Sequence, residues 1–320
     1  MKTRPAGMME HVGIVMEDLA AARKLFHEKL ALPVADYPDS KDGPAFAVKV
    51  GKTVIRVASP QSVDSRMGRQ GVSHVAFKID SLSEARERLG EAGARIRADQ
   101  TTGSGGRKAV WSDPSTTTGI PLQFVEETVA LNFKEPSKAS FIERIDHLGI
   151  AAQSGDRARD VYVSGLGWPL ESTQTDSEFL VPIEITSNDR YGATSTSHAP
   201  IPRVGSGLIA LFVTVGDFDL EIMQPLGAAK IDTPLGTIPG SVGQDQGAIA
   251  QALQKRGEGL LHIGFKVPDI RKAIERVSAE GIDMIDPVPR PGSRSGRIAF
   301  MNRKATEKIL LHFIERTPMA

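Results

Sequence analysis

The chain has 320 residues, which is enough for two domains of ordinary size, each with its own apolar core. Its 39 lysines and arginines balance 39 aspartates and glutamates, so the formal charge is zero and no basic stripe indicates a nucleic-acid partner. The absence of cysteine excludes disulfides, thiolate metal ligands and cysteine nucleophiles, and it suits a reducing compartment.

The first residues carry positive charge, but the apolar stretch that follows is short and contains Glu10 and His11. A secretory signal is therefore not expected. The longest apolar run, Leu208 to Val215, is far shorter than the roughly 20 residues that a membrane span needs. We predict a cytoplasmic protein that binds neither membranes nor nucleic acid.

The beginning of the chain is repeated later in the sequence. MEHVGIVMEDLAAARKLFHEKLALP, from Met9, aligns without a gap with IDHLGIAAQSGDRARDVYVSGLGWP, from Ile145. The alignment pairs His11 with His147. Such self-similarity indicates that one structural unit occurs more than once.

A second pair of segments repeats in the same way. GVSHVAFKIDSLSEARERLGEAGARI, from Gly71, aligns with GLLHIGFKVPDIRKAIERVSAEGIDMI, from Gly259, and pairs His74 with His262. The chain therefore contains four copies of one unit, two in each half, and one half resembles the other.

Every copy predicts the same succession of elements. An apolar run with a histidine predicts a strand, and the next segment has apolar residues at helical spacing. In the last copy this stripe is Ile270, Ala273, Ile274 and Val277, and Gly281 is a C-cap. Further strands are expected at Ala45–Val50, Thr53–Ala58, Leu208–Val215, Asp219–Gln224, Arg297–Met301 and Lys308–Ile314. Such a βαβββ unit cannot bury its sheet alone, so copies should pair.

The pattern predicts three parts. Residues 1–128 hold the first pair of units, 129–141 with Pro136 form a connection, and 142–320 hold the second pair. The second half is longer because its loops near 188–207 and 230–246 are enlarged. Enlarged loops are where function-specific elements usually lie.

Four βαβββ units with a histidine on each first strand resemble the vicinal oxygen chelate superfamily. It includes lactoylglutathione lyase, methylmalonyl-CoA epimerase, fosfomycin-resistance enzymes and extradiol dioxygenases. Phe218 to Glu315 is most similar to the epimerase, through DLEIMQPLG, GAIAQALQKRGEGLLHIGFKVPDI and DPVPRPGSRSGRIAFMNRKATEKILLHFIE. The resemblance implies an α+β fold in which four tandem βαβββ modules form two curled mixed β-sheet domains flanked by helices.

The resemblance also implies a divalent-metal site in the second half, with ligands from two first strands and two last strands. Imidazole and carboxylate ligands suit Fe, Mn, Co, Ni or Zn. The implied ligands are His147, Glu221, His262 and His312.

The first half is expected to lack a metal. Its residues at the four ligand positions are His11, Arg56, His74 and Gln123. A guanidinium is permanently cationic and has no lone pair to donate, so Arg56 cannot ligate an ion.

One implied ligand departs from the superfamily pattern, which usually has glutamate at the position of His312. In the lyase and epimerase branch that glutamate also transfers protons, and this chain has no carboxylate at that position. Our candidate catalytic residues are Glu221, His312 and the loop residue Glu184. Each histidine also has a simpler interpretation as a hydrogen-bonded core residue. The segment ILLHFI, which contains His312, has a simpler interpretation as a buried strand.

Four further residues are candidates for substrate binding. Arg294 and Arg297 lie in the basic, glycine-rich segment RPGSRSGRIAF, which could equally be a solvated hairpin turn. Tyr191 and His198 lie in an enlarged loop that could close over a cleft, or they are ordinary loop residues.

The leading hypothesis is a metal-dependent epimerase, isomerase or lyase. Its small-molecule substrate would have neighbouring oxygens, as in a carbonyl or acyl-CoA compound, and react through a stabilised enolate. One alternative is an Fe(II)-dependent extradiol-type dioxygenase, and another is a metal-independent binding protein. The sequence leaves open the substrate, the native metal and the oligomeric state, for which a homodimer is one option.

Overall fold

A computed structural model describes residues 7–37, 43–62, 71–178, 184–188, 194–198, 206–226 and 243–316. Within 176–207 and at 243–247 it describes the backbone alone.

The first half forms a seven-stranded mixed sheet with the order β2-β3-β4-β1-β5-β7-β6. Its two first strands, β1 and β5, lie side by side and antiparallel, and each pairs in parallel with the last strand of its own unit. The strands are β1 (Met8–Val15), β2 (Val34–Asp36), β3 (Ala45–Val50), β4 (Thr53–Ala58), β5 (Gly71–Lys78), β6 (Ala109–Trp111) and β7 (Leu122–Val125).

The second half forms an eight-stranded mixed sheet with the order β15-β16-β17-β14-β8-β13-β12-β9. Here β8 and β14 are the antiparallel first strands, and they pair in parallel with β13 and β17. The strands are β8 (Arg144–Ala151), β9 (Leu170–Glu178), β12 (Ser206–Val215), β13 (Phe218–Leu226), β14 (Gly259–Lys266), β15 (Arg290–Pro291), β16 (Arg297–Phe300) and β17 (Leu310–Glu315). A separate ribbon consists of β10 (Glu184–Asn188) and β11 (Thr194–His198).

A helix follows the first strand of each unit, and a side-chain cap begins each of these helices. They are α1 (Leu19–Arg23), α2 (Leu82–Glu91), α3 (Gly155–Arg159) and α5 (Ile270–Ala279), and π-helical turns at Lys24–Lys29 and Asp160–Gly165 continue α1 and α3. An additional helix, α4 (Gly243–Arg256), precedes β14. In α5 the four residues of the predicted stripe are buried, and Gly281 ends it with φ 75°. No helix in the described part of the chain is long and apolar enough to cross a membrane.

The predicted fold is confirmed: two curled mixed sheets are built from βαβββ units. Two of the six predicted later strands, Ala45–Val50 and Thr53–Ala58, have the predicted bounds, and the other four differ by a few residues at their ends. Amphipathic alternation between turn residues is a local signal, and these strands are therefore well predicted.

The two halves share one hydrophobic core. Phe77 of β5 packs against Trp168 with ring centroids 4.8 Å apart, and the Tyr162 hydroxyl donates to the Thr117 carbonyl at 2.7 Å. Because these contacts cross between the halves, we expect the two sheets to unfold together.

The connection packs against both halves. Lys134 pairs with Val34 at the edge of the first sheet, through a backbone hydrogen bond of 2.7 Å. Further along, the Phe141 ring lies 5.7 Å from that of Phe313. The division into 1–128, 129–141 and 142–320 therefore describes the order of the units along the chain. Its boundaries remain a proposal.

A close approach of the backbones of the two halves predicts a stability difference between two glycine variants. A Cβ on Gly119 would lie 2.2 Å from the Glu258 carbonyl oxygen, whereas one on Gly93 would meet nothing within 4 Å. Both glycines have positive φ, 76° and 67°. Alanine at either position should therefore lower the free energy of unfolding by about 1–2 kcal/mol. Gly119→Ala should lower it by a further ~1–3 kcal/mol because of steric overlap. Urea denaturation of the two variants measures this difference, and equal losses would show that the contact is unimportant.

Candidate functional site

Four side chains from the two units of the second half converge on one point. The Nε2 atom of His147 lies 3.3 Å from that of His262 and 3.0 Å from that of His312. Oε2 of Glu221 lies 3.2 Å from His147 Nε2 and 3.6 Å from His262 Nε2. All four side chains are buried. We call this group, His147, Glu221, His262 and His312, the floor residues.

The register of the central strands explains the convergence. On the antiparallel pair β8 and β14, His147 lies opposite Gly264 and His262 lies opposite Gly149. A Cβ on Gly149 would be 2.0 Å from His262 Cε1, and one on Gly264 would be 2.5 Å from His312 Nε2. Each glycine therefore leaves the space that a facing imidazole ring fills.

A β-bulge orients His147. Asp146 is an extra residue between the pairs at Ile145 and His147, so its side chain can reach the same ring. Asp146 Oδ1 lies 3.0 Å from His147 Nδ1, and Arg316 donates to the same oxygen at 2.5 Å. Burial alone would raise the pKa of Asp146, but the hydrogen bonds and charges of His147 and Arg316 lower it overall. The ionised carboxylate holds Nδ1, which leaves Nε2 directed at the other floor residues.

Glu221 is held as a carboxylate. The Ser293 hydroxyl donates to Oε1, and Oε2 faces the histidines. Although burial would raise the pKa of Glu221, its histidine neighbours and the bond from Ser293 lower it to about 2. A buried carboxylate with this charge requires cationic or hydrogen-bonding neighbours.

His312 lies flat against Phe300, with ring centroids 4.4 Å apart and an interplanar angle of 9°. Burial and the nearby charges of His147 and His262 hold the pKa of His312 well below its usual value, so the ring is neutral and keeps a lone pair. Its Nδ1 has no hydrogen-bond partner among the described residues.

The floor residues fit a divalent ion. One ring nitrogen from each of the three histidines lies within 4.8 Å of the other two. Ligands bound at about 2.0–2.2 Å from one ion would be roughly 3–3.5 Å apart, close to the distances between the floor atoms. Three imidazoles and one carboxylate are a donor set that first-row transition metals accept.

The floor residues form the base of a cavity of about 720 Å³. Its walls are mainly apolar and come from both units of the second half. They include Leu208, Met223, Ile249, Leu261, Ile298, Leu310 and Ile314. This volume is in the range of small-molecule sites.

Neither Arg294 nor Arg297 is among the described residues that line this cavity. Arg294 donates to Asp219 and Glu171 at 2.8 Å, and its guanidinium lies 3.8 Å from the Phe212 ring. Arg297 pairs with Glu315 near the surface. Their role in substrate binding therefore stays a prediction.

The other three predicted residues fall in the enlarged loops. Tyr191 lies outside the described residues. Glu184 and His198 pair with each other across the ribbon of β10 and β11, and their side chains lie outside the described part. Their roles remain predictions.

The first half has side chains at the four corresponding positions, but they are not three imidazoles and a carboxylate. His11 Nε2 lies 3.0 Å from His74 Nε2, which is also 3.2 Å from Gln123 Nε2 and from Ser104 Oγ. The fully buried Arg56, which replaces the carboxylate, stacks its guanidinium 4.7 Å from the Tyr37 ring. The imidazole, amide and hydroxyl groups of His74, Gln123 and Ser104 form an internal hydrogen-bonded cluster, and the absence of a metal from this half stays a prediction.

Sequence reasoning missed the residues that support the floor: Asp146, Ser293 and Arg316. One signal was present, because an acidic residue directly precedes the histidine in both Glu10-His11 and Asp146-His147. In each case the acid is the bulge residue and bonds Nδ1. Ser293 and Arg316 approach from distant segments, so no local pattern identified them.

Comparison with known families agrees with this architecture. Two profiles, both described as Glyoxalase/Bleomycin resistance protein/Dioxygenase superfamily, match residues 9–124 and 146–300. Together they cover most of the chain, one in each half. The chain belongs to this superfamily. The superfamily includes metal-dependent enzymes such as epimerases and dioxygenases.

Individual relatives match parts of this glyoxalase-superfamily chain. The uncharacterized protein YqjC of Bacillus subtilis is 25% identical over 174 residues, which are 54% of this chain and 93% of that protein. Mitochondrial methylmalonyl-CoA epimerase of Dictyostelium discoideum is 25% identical over 118 residues, 37% of this chain and 61% of the epimerase.

A solved structure matches both halves at once. A triple mutant of 4-hydroxymandelate synthase from Streptomyces coelicolor aligns with a TM-score of 0.60 and 14% identity, covering 98% of this chain and 94% of that one. At this identity the similarity concerns the fold alone.

The cluster of the first half predicts a pH-dependent contribution to stability. Burial would raise the pKa of Glu10, but His11 and Arg107 lower it from 4.5 to about 2. The ionised group therefore stabilises the fold above about pH 4.5, and this contribution is lost as the pH falls toward 2. The difference in unfolding free energy between wild type and Glu10→Gln should shrink by roughly 2 kcal/mol between pH 6 and pH 3.

Urea denaturation across this pH range tests the prediction. Glu87→Gln, which changes an exposed carboxylate of α2, is the matched control and should have a small effect throughout. A difference between wild type and Glu10→Gln that stays constant with pH would contradict the assignment.

Proposed function

We propose that the chain is a divalent-metal-dependent enzyme that removes a proton next to a substrate carbonyl, leading to epimerisation, isomerisation or elimination. The observation that carries the proposal is the convergence of three imidazole nitrogens and one carboxylate at the base of a mainly apolar cavity. The substrate class is a small molecule with neighbouring oxygens.

His147, Glu221, His262 and His312 would hold the ion. A bound divalent cation supplies Lewis acidity, which acidifies the C–H beside a carbonyl and favours the enolate. Fe, Mn, Co, Ni and Zn all accept this donor set.

The surrounding residues position the donors and exclude water. Asp146 fixes the Nδ1 side of His147, and Ser293 fixes one oxygen of Glu221. The apolar walls reduce the access of water to the base of the cavity, and this strengthens electrostatic interactions there.

The residue that accepts the substrate proton is a separate question. His312 stands where the superfamily usually has glutamate, so the usual carboxylate is absent from this position. Glu221 is bonded to Ser293 and faces two histidines, which suits a ligand better than a mobile base. Glu184 remains our candidate from the sequence.

A second candidate is an iron-dependent dioxygenase. The subset His147, His262 and Glu221 has two histidines and one carboxylate, which is the donor set of non-haem Fe(II) oxygenases. The third histidine, His312, distinguishes this site from that set and places the dioxygenase second.

Hydrogen exchange tests the proposed chemistry. Protein reconstituted with each of the five metals should catalyse exchange of the α-hydrogen of 2-oxo acids or acyl-CoA compounds with solvent deuterium, as followed by NMR. Metal-stripped protein should lose this activity. Oxygen uptake with catechols on the iron-loaded sample would favour the dioxygenase, and tight ligand binding without turnover or metal dependence would favour a binding protein.

The space at Gly264 gives a second prediction. Gly264→Ala would place a Cβ 2.5 Å from His312 Nε2 and 2.6 Å from His147 Cε1, so the rings must separate. We expect the affinity for Zn²⁺ or Co²⁺ to fall by about tenfold or more. Metal analysis after dialysis against a range of free metal concentrations measures this loss.

Gly90→Ala is the matched control, because a Cβ there meets nothing within 4 Å and Gly90 lies in α2. It should keep the metal and increase helix stability by about 0.5–1 kcal/mol. Equal metal binding by Gly264→Ala and wild type would contradict the site.

A further inference from the structure

Arg316, the residue directly after β17, bridges two residues that support the floor. Its Nη2 donates to Oδ1 of the buried Asp146 at 2.5 Å, and its Nε donates to Oδ2 at 3.3 Å. Its Nη1 donates to the Ser293 carbonyl oxygen at 2.5 Å. A planar guanidinium holds such bonds in fixed directions. We call Arg316, Asp146 and Ser293 the clamp.

Each arm of the clamp ends at a different floor residue. Asp146 Oδ1 lies 3.0 Å from His147 Nδ1, and the Ser293 hydroxyl donates to Glu221 Oε1. One arginine of the fourth unit therefore reaches two floor residues of the third unit, through one intermediate residue each.

Arg316 does more than neutralise Asp146. Arg144 lies 3.4 Å from Oδ2 of Asp146, and Arg294 lies 3.6 Å from Oδ1. The carboxylate would therefore keep cationic neighbours without Arg316. What Arg316 adds is the connection between Asp146 and the Ser293 carbonyl.

The turn that carries Ser293 needs such a contact. Arg294 and Ser295, the next two residues, both have a φ of 54°, which is uncommon for residues with a side chain. A backbone in this region persists where surrounding contacts hold it. Arg316 holds the Ser293 carbonyl, and an ion pair with Asp219 at 2.8 Å holds Arg294.

The first half contains the same bridge, built from a different arginine. Arg107 Nη1 donates to Glu10 Oε1 at 2.9 Å, and Glu10 bonds Nδ1 of His11. Arg107 Nε donates to the Ser104 carbonyl at 2.9 Å, and the Ser104 hydroxyl accepts from Gln123 at 2.8 Å. In both halves an arginine thus joins the acid before the histidine to the carbonyl of a serine.

The two arginines come from different places in the chain. Arg107 lies 3 residues after its serine, whereas Arg316 lies 23 residues after Ser293 and beyond the last strand. The sequence repeat therefore does not bring Arg316 to its place. Two routes lead to the same bridge, which favours a role for it over chance packing.

We propose that Arg316 is a positioning residue of the metal site, which holds His147 through Asp146 and Glu221 through Ser293. The link to a metal rests on the proposed function, in which the floor residues are the ligands. Without the clamp all four donors remain, but two of them are free to turn. Metal binding should therefore weaken without being abolished.

Metal affinity tests the clamp. Arg316→Gln should weaken the binding of Zn²⁺ and Co²⁺ by about 10- to 100-fold, as measured by competition with a chromophoric chelator. The visible absorption spectrum of bound Co²⁺ should also change, because it reports the geometry of the ligands, which a loss of stability alone does not alter. Arg316→Lys should recover only part of the affinity, since an ammonium is a point charge without the planar fork. Full recovery by lysine would show that charge alone matters and would overturn the clamp.

Two other arginines provide matched controls. Arg107→Gln removes the corresponding bridge from the first half. Arg276→Gln removes a guanidinium that donates to the Ala139 carbonyl at 2.8 Å, away from the floor. Both variants should keep the wild-type affinity and Co²⁺ spectrum. If either loses as much affinity as Arg316→Gln, the effect is a general loss of stability and the proposal fails.

A set of combined variants tests the route of the effect. In the background D146N/S293A the intermediates of both arms are already changed, so Arg316→Gln should alter the affinity by less than about twofold. A loss in that background as large as in the wild-type background would show that Arg316 acts by another route.

A measurement without metal separates this proposal from the proposed function. Long-range ¹H–¹⁵N NMR of histidine-labelled, metal-stripped, full-length protein reports which ring nitrogen of His147 bears the proton, with the signals assigned by their loss in His147→Gln. The wild type should have the proton on Nδ1, facing Asp146, and Arg316→Gln should give a mixture of the two tautomers. If the wild type binds neither Zn²⁺ nor Co²⁺, the proposed function fails, and an unaltered tautomer in Arg316→Gln would overturn the clamp as well. If the wild type binds metal and Arg316→Gln binds it equally with the same spectrum, the clamp alone is refuted.

Discussion

The candidate site depends on a steric constraint between two neighbouring strands. The antiparallel pairing of β8 and β14 places His147 opposite Gly264 and His262 opposite Gly149. Any side chain at either glycine would occupy the volume of an imidazole ring. Because neither glycine has positive φ, the requirement comes from space and not from backbone conformation. The sheet register therefore controls the chemistry, since a slip by one residue would direct the histidines to the opposite face.

The first half shows what the same scaffold becomes when the donors change. Gly13 lies opposite His74, as Gly149 lies opposite His262, but Ala76 stands where the second half has Gly264. The carboxylate position holds Arg56, which is buried and permanently charged. A buried guanidinium and an ion could not share that space without strong repulsion. The two halves therefore share their strand pairing, whereas three imidazoles and one carboxylate occur together at these positions in the second half.

The fold could be predicted from the sequence because its signals are local and occur four times. Strand alternation, the stripe of α5 and the paired histidines all lie within short segments. The convergence of the floor residues could be inferred only through the family resemblance, since His147 and His312 are 165 residues apart. The support from Ser293 and Arg316 depends on how turns pack across the sheet, which periodicity does not encode.

The histidine at position 312 changes the charge of the floor residues. Imidazole is an uncharged metal ligand, so three imidazoles and one carboxylate would leave a divalent ion with one net positive charge, whereas a second carboxylate in place of His312 would leave none. The floor would then favour a substrate that is anionic, or becomes anionic, at its reacting end. His312 would thus adapt the site to a more negatively charged substrate than a second carboxylate at this position would.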